Sequence, residues 1–340
     1  MALSRRSVIT ASIVLLCLGL GEFWFHAANR LGYYVNQPLL GGKPLADLCD
    51  GNDTTGFPFR LKLNCNKLTL PLRVGDGLFY VDAKEAQGVA SLFSPNHIVL
   101  TLSSPIVVRK ADGSTFATLR HDGMTLDAVW GLSGLRQIRL DAAAINWRPE
   151  SHAAGVAVNV QKLAASAGPQ GGPGAPSSLR FDLSGDGVTA PALQALLNSA
   201  GAGHFAASGD ITPAPRLGED WRAALEDWRR KPGSLTIEKM EWQAGDVSLR
   251  IDGALTIDDA HRAAGRLNLA AQGAGALLVR FGVPSSSAQT QNLLGALLGS
   301  GAKGNANQGG ANALRLPLTL ANGQVFVGPF RLPQKLQPLY

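Results

Sequence analysis

The residues most able to do chemistry are few and scattered. Two cysteines, Cys49 and Cys65, stand sixteen positions apart beyond an apolar N-terminal run. Outside the cytoplasm such a pair is expected to oxidise, and closing a loop of that length contributes about 3 kcal/mol. A zinc site would need further Cys or His at ligand spacing, and none lies near. Asp258, Asp259 and His261 could hold a metal on one turn, but their segment reads as a solvated hairpin tip. His121-Asp122-Gly123 reads the same way. His97 adjoins an apolar strand and reads as a hydrogen-bonded edge residue. Asp50-Gly-Asn52-Asp53 opens like a calcium loop, yet Leu61 occupies the place of the bidentate Glu. Gly201-Ala-Gly203-His-Phe-Ala206 follows a helical pattern rather than a strand, which rejects a dinucleotide fingerprint. Neither a Gly-x-Ser-x-Gly elbow nor a phosphate-binding Walker loop occurs. No catalytic residue, cofactor or metal site is therefore assigned.

The elements that would carry any site are strands. From Val247 to Ile257, and again from Arg266 to Leu269, apolar residues recur at every second position. That period makes a strand with one buried and one wet face. Val247, Leu249, Ile251, Leu255, Ile257, Leu267 and Leu269 share the apolar face and are the candidate ligand-contacting residues. The polar stretch Asp258–Gly265 turns the chain between them. Similar alternation marks Leu61–Cys65, Leu68–Val74, Ile98–Leu102, Leu179–Leu183 and Leu314–Leu320. The step from Cys65 to Leu68 breaks parity and predicts a bulge or tight turn near Asn66. Asp112-Gly113 and Asn322-Gly323 are hairpin turns. Two helices are expected, one over 191–198 and one over 219–230, where Trp221, Leu225 and Trp228 share a face that packs on a sheet. The segments 275–281 and 291–298 are apolar and could be helical.

The N-terminus sets the compartment. Arg5 and Arg6 precede residues 7–21, which carry no charge, and Phe23, Trp24 and Phe25 follow. This is an export signal, expected to stay as an anchor through Ile13, Val14, Leu15, Leu16, Leu18, Leu20, Phe23 and Trp24, with the aromatics at the bilayer interface. The run is short for the roughly 20 apolar residues of a full span. Composition agrees with an exported β-protein: charged residues are 16% and glycines number 40, against about 25% charged and about 7% Gly in ordinary domains. The net charge of +6 is spread thinly. Its densest cluster, Arg229-Arg230-Lys231, suits a helix C-terminus, and no stretch has the density of a nucleic-acid footprint.

Gly56-Phe57-Pro58-Phe59-Arg60 leads into a strand ending at Cys65. With the apolar start followed by an early Cys, the segment Ser94–Leu100 and the tail Leu316–Phe330, it resembles a family of Gram-negative envelope proteins known as domain of unknown function 2125. The resemblance implies a membrane-anchored periplasmic β-protein and carries over no catalytic residue. Asp252-Gly-Ala-Leu255 and Gly265-Arg-Leu-Asn-Leu269 are similar to strand pairs of AsmA-like proteins, which resemble long lipid-handling grooves.

The expectation is a mainly β (α+β) protein of antiparallel meanders forming a curved or elongated groove. Its regions are an anchor over 1–30, a β region over 31–163, a Gly/Pro-rich linker or loop over 164–178 and a second β region over 179–340. The inner membrane would hold the anchor and the periplasm the bulk. The leading functional expectation is binding or transfer of an apolar envelope ligand such as lipid. A structural or assembly factor meeting another envelope protein is the alternative, and an exported hydrolase the third reading.

Overall fold

Alternating sequences pair best with neighbours of the same period, because each added strand extends both faces without changing them. The structure, a computed structural model, describes residues 19, 21–26, 29, 38–40, 43–74, 77–91, 93–131, 134–150, 157–170, 178–197, 199, 201–214, 221–272, 314–328 and 330–340. It is mainly β with few helices, as the periodicity predicts. The chain divides into two compact units, Met1–Ile138 and Arg139–Tyr340.

In the first unit the long strand β4 (Arg60–Val74) is the hub. Its first part pairs with β3 (Cys49–Thr55) and β6 (Ala86–Ser91), and its last part with β5 (Gly77–Ala83). From β6 the sheet continues through β7 (Ser94–Leu102) to β10 (Gly123–Gly131). From β5 it continues through β8 (Ile106–Lys110) to β9 (Thr115–Arg120). The parity break between Cys65 and Leu68 marks this change of partner, not a bulge. The β3–β4 register runs unbroken through it. Both residues are buried, each against a different arm. Pro38–Leu40 and Lys43–Pro44 form a separate short ladder, β1 and β2.

Cys49 and Cys65 form a disulfide with Cα atoms 5.5 Å apart. Cys49 faces Leu68 and Cys65 faces Asn52 across the ladder, so the bond ties β3 to the hub beside the change of partner. A second tie binds the β5–β8 arm to the hub. Arg109 of β8 donates two hydrogen bonds to Asp82 of β5, one of them Nη2 to Oδ1 at 2.9 Å, and Thr69 Oγ1 of β4 donates a third at 2.8 Å. The Arg109 guanidinium holds the Asp82 carboxyl below its usual range. The turn His121-Asp122 links β9 to β10, which belong to different arms. His121 is buried, 6% exposed, with neither ring nitrogen hydrogen-bonded.

In the second unit β11 (Gly134–Pro149), of which the part from Arg139 belongs here, lies beside β12 (Val158–Gln170). Then β13 (Ser178–Val188), β14 (Gly203–Thr212), β15 (Ser234–Ala244), β16 (Val247–Ile257), β17 (Ala263–Gln272), β18 (Leu314–Ala321), β19 (Gln324–Val327) and β20 (Phe330–Lys335) follow. From β12 onward each pairs antiparallel with the next in sequence order. The hairpins at Asp258–Arg262 and Asn322-Gly323 close where their turn residues place them.

One expectation changes. Residues 164–170, read as the start of a linker, run in β12 and pair with β13 residue by residue. Small side chains suffice there because the ladder bonds come from the backbone, and Phe181 and Leu183 opposite supply the apolar bulk. The helix spanning a membrane is not part of the described structure. Of the expected anchor, Ile13, Val14, Leu15, Leu16, Leu18 and Leu20 lie outside the described residues, and so do 171–177, 275–281 and 291–298. Among the described residues no helix is long and apolar enough to cross a membrane. Phe23 and Trp24 belong to a helical turn over 21–26. The Trp24 ring is buried against Phe57, and its Nε1 donates to the Arg60 carbonyl at 2.8 Å. An indole N–H has one donor to satisfy, and the carbonyl opening β4 satisfies it.

Removing the disulfide with Cys49→Ser should lower unfolding free energy by about 3 kcal/mol in denaturant titrations. Reductant should do the same to the unaltered chain and nothing to the variant. Burial pushes the His121 imidazole below its ordinary pKa, and the neighbouring Asp122 opposes this more weakly. The unfolded state then binds the proton more readily. Its stabilising share is complete above the unfolded value of about 6.5 and is lost as pH falls from there through the lower folded value. The His121→Phe chain should lose less stability than the unaltered chain between about pH 7 and about pH 5.

Candidate functional site: a two-faced sheet

The second unit sorts its side chains by face. Ile251 lies opposite Met240 on one side and Leu269 on the other. Leu249 lies opposite Trp242 and Ala271, and Leu267 opposite Gly253 and Leu318. Leu255 pairs with Leu235, Val247 with Ala244, and Ile257 with Ala263. All seven residues expected from the period thus fall on one face. The ladder carries that face further, through Phe205 and Ala207 of β14 to Leu183 and Phe181 of β13 and Ala165 of β12. At about 4.8 Å per strand, β12 to β18 span roughly 30 Å.

Keeping the face apolar requires a correction inside β15. Leu235 and Ile237 have one parity, Met240 and Trp242 the other. The register shifts against both neighbours at this point, a β-bulge that places Glu238 and Lys239 together on the polar side. One inserted residue restores the face that simple alternation would lose.

Glycines let rings lie flat on the sheet. A Cβ on Gly203 would stand 2.6 Å from the Trp242 ring, and one on Gly209 would meet both the Thr236 carbonyl at 2.2 Å and Phe181. Gly253 has φ +139°, and a Cβ there would sit 2.3 Å from the Arg266 carbonyl oxygen. Only glycine fits such an approach of two backbones. Val188, Trp242, Ala244 and Val247 form the deepest part of the face, with Leu193 of the Pro191–Leu197 helix and Phe205 packed on it. Leu249, Ile251, Leu255, Ile257 and Leu269 are half-buried, whereas Val247 and Leu267 are buried.

The opposite face is polar. Arg180 donates to both carboxylate oxygens of Glu238, at 2.8 and 2.6 Å, and to Asp210 at 3.3 Å. This pairing holds Glu238 below its ordinary range. Lys239 and Arg250 both reach Glu241, and Asn268 donates to Asp252. A concavity of about 380 Å³ is lined by Ala164, Ser166, Asp182, Ser184, Ser208 and Lys239 of this face together with Ala165, Leu183 and Ala207. On this face β12–β14 carry small hydroxyl and methyl groups, and the apolar ladder lies on the reverse.

The Trp221–Arg230 helix is tied down by its C-terminal half. Trp228 is buried against Gly233. Glu226 accepts hydrogen bonds from Arg229, Arg230 and Tyr340, and the Arg229 contact holds its carboxyl far below the usual range. Burial and the bond to Glu226 push the Tyr340 phenol up. His261 stacks on Tyr340, and Asp259 pairs with Arg229. Asp258 is committed to Arg262 and to backbone amides of its own turn. Asp258, Asp259 and His261 therefore do not converge on a metal. Among the described residues no group of three or more such ligands does so.

Two imidazole–carboxylate pairs lie across neighbouring strands, His97–Asp127 at 2.7 Å and His204–Asp186 at 2.6 Å. Both are exposed. Among the described residues neither imidazole has a hydroxyl or thiol at its second ring nitrogen, the arrangement that activating a nucleophile requires.

A family model described as an uncharacterized protein conserved in bacteria, DUF2125, matches residues 46–334. The chain belongs to this family. No curated protein and no solved structure matches. The family's span takes in the disulfide, both arms of the first unit and every strand of the two-faced sheet, while the helical turn over 21–26 precedes it. Sequence reading missed this concavity, because Ser166, Ser184 and Ser208 come from three strands and carry no local signal. It also read Gly56–Phe59 as a turn alone, without the surface it makes.

The fit of Gly253 gives a direct check on the register. Gly253→Ala should cost roughly 3 kcal/mol or more of unfolding free energy. Gly113→Ala, at a turn with φ +84° and nothing within 4 Å of the added methyl, should cost about 1 kcal/mol. Equal losses in denaturant titrations would contradict the β16–β17 register.

Proposed function

We propose that this protein is held at the inner membrane by its N-terminal apolar run, with its bulk in the periplasm. There the second unit binds or transfers an apolar envelope ligand, lipid, along the β12–β18 face. One observation carries the reading. Seven strands present a continuous apolar ladder, while Leu249, Ile251, Leu255, Ile257 and Leu269 at its centre remain only half-buried. An apolar face of that width is strongly favoured to take an apolar partner out of water, at about 25 cal/mol per Å². The disulfide supports an oxidising compartment.

The ligand is expected to lie on the odd-numbered side of β16. With p-benzoyl-phenylalanine replacing Leu249 or Ile251, illumination should attach lipid. The same group replacing Arg250, on the opposite face, should not. A chain that neither co-purifies with lipid nor labels it from 249 and 251 does not do this job. Label found on another envelope protein instead would favour a structural or assembly role.

A further inference from the structure

The first unit carries a second apolar surface that the sheet ladders do not explain. Phe57 and Phe59 project from the turn between β3 and β4, and Phe93 from the turn between β6 and β7. Arg60 and Ser91 are paired across β4 and β6, so both turns lie at one end of the unit. Phe59 and Phe93 stack with ring centroids 6.0 Å apart. Trp24 meets Phe57 edge-on at 5.7 Å and Phe25 at 5.5 Å. Trp24 is itself buried, yet the phenylalanines around it stay in the open: Phe25 is 64%, Phe57 56%, Phe59 51% and Phe93 77% exposed. A side chain of that size exposes on the order of 100 Å² when half uncovered, so the cluster reaches the upper end of what soluble monomers show.

We infer that this end of the first unit is a membrane-seating collar, its phenylalanines inserted among lipid headgroups and upper acyl chains. The inference rests on the proposed tether and extends it. The uncharged run over residues 7–21 leads directly into the collar: the place a Cβ would occupy on Gly21 is 3.9 Å from the Phe57 ring. Any bilayer that takes up that run therefore meets Phe25 and Phe57 first. Trp24 works as a rivet, its Nε1–H bonded to the Arg60 carbonyl, fixing the end of the run to the β3–β4 turn. Rigid fixation turns a loose tether into a defined seating. Phenylalanines at such a site bury about 5–10 Å into the headgroup and acyl boundary. Arg60, exposed beside them, can reach lipid phosphate.

The test uses the full chain in vesicles of phosphatidylethanolamine and phosphatidylglycerol, with p-benzoyl-phenylalanine in place of Phe59, Phe93 or Phe116. Phe116 is exposed too, but it packs on Phe79, which pairs with Leu72 near the opposite end of β4. Lipid labelling from 59 and 93 should exceed that from 116 by about tenfold, since only a group inside the acyl boundary stays next to C–H bonds of lipid. A chain that co-floats with the vesicles but labels lipid no better from 59 and 93 than from 116 overturns the collar alone. So does label found only on a second copy or on another protein. A chain that fails to co-float defeats the tether and the collar together.

Discussion

Antiparallel register is the constraint on which the rest depends. In β12 to β18 every strand keeps its apolar residues on the same side as its neighbour's, and a slip of one residue anywhere would turn a row of leucines to the polar face. The bulge at Glu238 and Lys239 shows how tightly that rule binds. The apolar positions of β15 change parity between Ile237 and Met240, and the strand takes up the extra residue instead of presenting Met240 and Trp242 to the wrong side. The two residues so displaced join the ion pairs of the polar face, Glu238 with Arg180 and Lys239 with Glu241.

The two faces are held by different physics. On the apolar side stabilisation comes from burial, and it is strongest where Trp242, Val247 and Val188 lie deepest. On the polar side the pairs are largely exposed, and such bridges each contribute little. Their service is to lock neighbouring strands in place: Arg180 on β13 bonds Asp210 on β14 and Glu238 on β15, spanning three strands with one guanidinium. Bidentate geometry makes that contact directional as well as attractive.

The first unit meets the same demand by another route. One long strand serves two arms, so its buried positions cannot keep one parity along its length. Cys65 and Leu68 face different partners and both are buried, and the disulfide sits where the strand passes from one arm to the other. The Asp82–Arg109–Thr69 contacts bind the β5–β8 arm back to β4. The turns at one end of this arrangement leave Phe57, Phe59 and Phe93 uncovered.

The sequence by itself determined what is local. A period of two announces strands and names the residues of each face, so Val247, Leu249, Ile251, Leu255, Ile257, Leu267 and Leu269 belong together on sequence grounds alone. Asn322-Gly323 and Asp112-Gly113 announce their hairpins because only certain residues tolerate positive φ. Two cysteines beyond an apolar start announce a disulfide. Tertiary structure alone decided what depends on residues distant in the chain: that β17 and β18 are neighbours, with Ala271 opposite Leu314; that 164–170 is strand; that one concavity gathers Ser166, Ser184 and Ser208; that Trp24 turns inward to Arg60 while Phe57, Phe59 and Phe93 remain outside. Period tells a side chain which face it shares with its own strand. Which strand comes next, and which way the sheet curves, follow from the sum of many weak contacts that no single stretch of sequence contains.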